Sequence, residues 1–192
     1  MPEPSEIAIR TTASAAEGSP FHVFLEGWAS GRLPDMRRAI ELLREQSVLW
    51  LDGLLKIVFA ETETGQGDPE RGIALLDEAL ATADGAGYRA FSAELHRVRG
   101  DILLKSDRAN TPPAEEAFHS AIAVAREQGT RSFELRAALP LAKLYHSTGR
   151  PADAYAVLAP ALEGFAPTPE LPEIAEAQAL LERLASGRFG RS

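Results

Sequence analysis

The chain has 192 residues, 45% of them apolar, with 28 Asp and Glu against 20 Lys and Arg and no cysteine. That length and composition allow one domain with a continuous core. The acidic balance disfavours binding to nucleic acid or an anionic membrane, which needs a basic footprint, and the missing thiols exclude a disulfide framework, a thiolate metal site and a cysteine nucleophile.

Residues 1–20 are rich in Pro, Ser, Thr, Ala and Glu, with Ile7 and Ile9 as their sizeable apolar anchors, and read as a flexible N-terminal arm. From Phe21 a helical period takes over, and no segment alternates long enough to compete as a strand. The helices pair off in chain order. Phe21–Ser30 and Asp35–Gln46 form the first pair, Ser47–Glu63 and Pro69–Ala83 the second. Tyr88–Lys105 with Pro113–Gln128 and Thr130–Ser147 with Pro151–Phe165 form the third and fourth. A last helix, Glu170–Ala185, follows Pro167 and Pro169, and its Ile174, Ala177, Leu181 and Leu184 share one face, as a capping helix requires. Interior prolines at Pro140 and Pro160 are expected to bend their helices, which then resume.

The pairs repeat. Pro69-Glu70-Arg71-Gly72-Ile73-Ala74-Leu75-Leu76 aligns with Pro151-Ala152-Asp153-Ala154-Tyr155-Ala156-Val157-Leu158, and both continue to an Ala-Leu ending. The small residue of each second helix falls at Ala39, Gly72, Ala114 and Ala154, spaced by 33, 42 and 40 residues. First helices carry one at Gly27, Ala60, Gly100 and Ala142, where two helix backbones can approach closely. Self-similarity at this period marks a stacked-repeat protein, and the tetratricopeptide repeat, of about 34 residues, is the nearest pattern. The expected fold is all-α, a right-handed superhelix of about four tetratricopeptide-like helix pairs with a C-terminal capping helix. The repeat domain would span 21–187, with a tail at 188–192.

The segment Ala93-Glu94-Leu95-His96-Arg97-Val98-Arg99-Gly100-Asp101-Ile102-Leu103-Leu104 carries a family likeness, joined by Ala125–Gly129, Ser132–Ala138 and the stretch from Pro169 to Leu181. It resembles the tetratricopeptide-like C-terminal region of bacterial signalling proteins. These join an adenylate/guanylate cyclase, or a LuxR-type DNA-binding regulator, to an ATPase of the AAA/STAND kind. The resemblance implies a non-catalytic helical region that senses or transmits signals. The chain has no G-x-x-x-x-G-K-[ST] loop, so it implies no ATPase or cyclase activity here.

Glu94, Arg97, Asp101 and Lys105, spaced three, four and four, share one stripe of a helix. In tetratricopeptide geometry first helices face the concave groove. The next unit adds Arg136, Lys143 and His146 to that wall, and the preceding unit adds Glu61. The stripe reads either as a groove that receives a peptide or acidic segment through its cations, or as charges paired along the helix at about 0.2–0.5 kcal/mol each. Phe21, Phe24 and Trp28 form an apolar stripe, covered by the arm or open as an interface.

Catalytic signatures are missing. His22, His96, His119 and His146 form no i, i+4 pair and no H-E-x-x-H, so no metal site is expected, and no G-x-S-x-G elbow occurs. The reading is a cytoplasmic interaction or signal-transmission module, not an enzyme, with no cofactor, nucleic acid or membrane. Its partner is a protein or peptide segment on the concave face. The alternatives are a regulatory ligand-sensing module of a cyclase or ATPase signalling protein, and a homodimer through Phe21, Phe24 and Trp28.

Overall fold

The computed structural model describes residues 19–46, 51–166 and 172–189. Nine α-helices and one 3-10 turn account for the regular structure of the described residues. They are α1 (Pro20–Ala29), α2 (Leu33–Glu45), α3 (Asp52–Gly65), α4 (Pro69–Ala86), α5 (Ser92–Ser106), α6 (Pro112–Glu127), α7 (Arg131–Ser147), α8 (Pro151–Leu162) and α9 (Pro172–Phe189). The 3-10 turn is Arg89–Phe91.

Local chemistry sets these limits. Proline stands at the start of α1, α2, α4, α6 and α8, where its missing N–H costs nothing. Ser19 caps α1 by accepting from the His22 N–H at 3.2 Å, and Asp68 caps α4 by accepting from the Arg71 N–H at 3.0 Å. Helix α4 runs to Ala86, beyond the expected Ala83, because Gly87 supplies the left-handed cap at φ 73°. Helix α8 stops at Leu162 instead of Phe165. Its terminal carbonyls on Pro160 and Glu163 are taken by the Arg131 guanidinium, a cation where the helix dipole favours one. The expected helix after Pro160 is therefore two residues long, whereas α7 continues through Pro140 to Ser147. The tail was expected from residue 188, but α9 reaches Phe189. The expected arm falls almost wholly on residues 1–18, outside the described residues, as do the starts expected at Ser47 and Glu170.

The chain divides into two compact units, Met1–Arg89 and Ala90–Ser192. In the first, α1 packs on α2, α2 on α3 and α3 on α4, around Phe24, Met36, Ile40, Leu55 and Phe59. In the second, each helix from α5 to α9 packs on the next. Beyond that, α5 touches α7 and α7 touches α9, so alternate helices lie side by side as stacked hairpins demand. This core holds Phe118, Leu135, Leu141, Leu158 and Leu180, each worth roughly 1.5–3 kcal/mol on burial. On α9 Ile174, Ala177, Leu180 and Leu184 are fully buried. Leu181, expected inside, is half-buried, and Leu180 takes its place.

Buried carboxylates each hold two cations. Asp52 at the start of α3 binds Arg44 at 2.9 Å and Lys56 at 3.3 Å. Glu134, early in α7, binds Arg126 at 2.7 Å and Arg131 at 2.9 Å. In both, an arginine late in a second helix reaches an acid eight residues on, early in the next first helix. Glu63, late in α3, is likewise shared by two cations, Arg37 and Arg71. A buried charge survives only if paired, so such contacts fix geometry more than they add stability.

Candidate binding face

The expected charged stripe forms within the second unit. Glu94 is buried, 7% exposed, on α5. Arg97 grips it with two parallel bonds, Nε to Oε2 at 2.9 Å and Nη2 to Oε1 at 2.8 Å, and also pairs with Asp101. From α7, Arg136 reaches the same Oε1 at 2.8 Å. Arg136 also approaches Glu173 of α9 at 4.0 Å, and Lys143 meets Glu176 at 2.7 Å. One wall thus runs from α5 through α7 to α9 with alternating charges. Burial pushes the Asp101 carboxyl above its usual range, with Glu94 adding to that and Arg97 and Lys105 opposing it.

The members of the predicted set are not equivalent. Arg97 lies half-buried under its carboxylates and acts as a fixed strut. Arg136 and Lys143 keep 40% and 47% of their side chains open, and their pairs with the equally open Glu173 and Glu176 contribute at most about 1 kcal/mol, whereas the bond of Arg136 to Glu94 is partly buried. Lys105 and His146 are exposed on α5 and α7. Glu61 belongs to the first unit, exposed on α3, and takes no place in this network. Sequence reading missed Glu173 and Glu176 as wall residues. Their spacing of three places them on one face of α9, as Arg136 and Lys143 share one face of α7, and that match was the available signal.

The aromatic stripe needs correction. Phe24 is 1% exposed and packs into the first core with Met36 and Phe59. Two turns of helix cannot point three residues spaced three and four outward when the middle one faces the core. The open residues are Phe21, Leu25 and Trp28, at 43%, 40% and 53% exposure.

Two clefts open in the second unit. One, of about 350 Å³, is lined by His119, Ile122, Arg126, Tyr145, Arg150 and Asp153. There His119 Nε2 lies 2.8 Å from the Tyr145 hydroxyl, and the Arg150 guanidinium stacks on the Tyr145 ring at 4.0 Å while binding Glu115 and Asp153. The other, of about 520 Å³, lies between α8 and α9 beside Phe165 and Leu181. Both draw chiefly on second helices and α9. No group of three His, Asp or Glu side chains among the described residues could hold a metal ion. No described helix is long and apolar enough to cross a membrane.

No family model matches the sequence, and no curated protein does. Solved structures do. A kinesin light chain-like protein of Podosopora anserina, with nearly identical TPR-like repeats, superposes with a TM-score of 0.59 at 14% identity, covering 100% of this chain and 90% of that one. A single-residue variant of it gives a TM-score of 0.63 at 14% identity, over 91% of this chain and 87% of the other. At that identity the likeness is one of fold, and the fold is a tetratricopeptide-like helical repeat.

Proposed function

We propose that the chain is a non-catalytic protein-interaction module whose α5–α7–α9 wall takes an acidic peptide or protein segment. The observation that carries the reading is the buried Glu94, which ties Arg97 and Arg136 on neighbouring helices into one rigid row. Preorganised donors lose little side-chain freedom on binding. Beside that row, Lys143 meets the open carboxylate of Glu176, and Arg136, anchored on Glu94, turns its outer side toward the open Glu173. An incoming acidic segment would replace the open Glu173 and Glu176 with its own carboxylates, while Arg136 keeps its bond to Glu94. Lys105 and His146 extend the donor set along the same helices. The likeness of Ala93–Leu104 to signalling-protein repeats supports a partner within a signal-transmission assembly, with the module in a regulatory role.

Charge reversal tests the reading where it leaves the fold alone. Lys105→Glu with Lys143→Glu alters two exposed side chains, whereas reversal at Arg97 would put a third carboxylate against Glu94. Acidic peptides, scored by fluorescence anisotropy, should bind the wild type in a salt-sensitive way and lose at least about tenfold in affinity with the double variant, on the order of 1.4 kcal/mol. Equal affinity of the two proteins would overturn the assignment.

A further inference from the structure

We propose that α1 is a self-association surface, pairing antiparallel with the α1 of a second copy of this chain across a twofold axis at Leu25. Helix α1 is apolar on two sides. Phe24 and Gly27 face the core, while Phe21, Leu25 and Trp28 stand outside it at 43%, 40% and 53% exposure. An apolar stripe left open on the side away from the core marks an interaction face. The helix at the other end of the sequence contrasts with it, since the open side of α9 carries Glu182, Arg183 and Ser186. Stacked repeats need such polar outer faces for solubility, and on α1 Glu26 and His22 share the open side with Phe21, Leu25 and Trp28.

The occupant follows from the pattern. The stripe reads aromatic–leucine–aromatic in both directions, with intervals of four and three residues over roughly 10 Å of helix. Antiparallel pairing of two copies seats Leu25 on Leu25 and Phe21 against Trp28, the self-complementarity a twofold contact requires. The stripe itself carries no charge, and Glu26 is the single acid of α1. The three side chains expose roughly 300 Å² per copy, well below the roughly 800 Å² per partner of a stable interface. The dimer is therefore weak and concentration-dependent.

Analytical ultracentrifugation of the full chain tests this. The wild type should shift reversibly from monomer to dimer as concentration rises. Leu25→Glu and Leu25→Lys should each stay monomeric with unchanged helix content, because Leu25 is exposed. Mixing those two variants should restore the dimer, since only a Leu25–Leu25 contact brings the opposite charges together. A wild type that remains monomeric overturns the proposal, as does a mixture that fails to associate. A monomeric wild type whose melting temperature falls with Leu25→Glu would place another segment of the same chain over the stripe, and that too refutes the dimer.

Discussion

At Gly100 an added Cβ would lie 2.7 to 2.9 Å from ring atoms of Phe118, a side chain sealed in the core at 0% exposure. Alanine improves helix propensity by up to about 1 kcal/mol, but overpacking a closed core costs about 1–3 kcal/mol. Gly100→Ala should therefore destabilise the second unit, read as a lowered midpoint in denaturant unfolding; an unchanged or raised midpoint would show that Phe118 can move aside. Two acids should respond to pH with opposite signs. Burial pushes the Glu78 carboxyl up, but Lys56 and Arg44 together outweigh it and hold the group below its usual range. Its contribution is present above the ordinary carboxylate range and is lost as pH falls through the lowered value. Glu78→Gln should thus cost stability at neutral pH and progressively less on acidification. Asp101 is raised, chiefly by burial, so its contribution is full at low pH and lost as pH rises through the raised value. Asp101→Asn should gain stability at neutral pH and lose that gain in acid. Urea unfolding of both variants across a pH series reads the two signs.

Among the elements, α7 is the instructive case. Pro140 removes one backbone hydrogen bond from its middle, yet the helix runs from Arg131 to Ser147, because Leu135, Ala138, Leu141, Ala142 and Tyr145 are all buried around it. Pro140→Ala restores the donor and should raise stability by about 1–3 kcal/mol, seen as a higher melting temperature. A loss would mean that the proline ring fills space that alanine leaves empty. Sequence reading located this helix, and most of the others to within two or three residues, since proline starts, glycine stops and apolar spacing are local signals. Its misses have largely tertiary causes. Helix α8 ends early where Gly164 turns to φ 85° and Arg131, far off in sequence, holds the terminal carbonyls. Helical spacing groups Phe24 with Phe21 and Trp28 because it leaves open which side of the stripe meets a core. On the wall, Glu94, Arg97, Asp101 and Arg136 were legible as a set, but not their division into a buried strut and open, exchangeable pairs. That division depends on where α9 lays Glu173 and Glu176.

For the molecule as a whole, the two units carry separate cores. The second closes among its own helices, from Ala114 and Phe118 on α6 to Leu184 on α9. Residues 90–192 expressed alone should therefore fold with native helix content and a cooperative melt, as chains of about 100 residues commonly do. A fragment without a sigmoidal transition would show that the core needs more of the chain. The unlike outer sides of α1 and α9 bear on how such an array could lengthen. A supplementary hairpin grafted behind α9 would have to rest on Glu182 and Arg183, leaving charges without water. One grafted ahead of α1 would find Phe21, Leu25 and Trp28 already waiting as an oily seat. Duplication or protein engineering should thus add modules to this scaffold from its amino-terminal side.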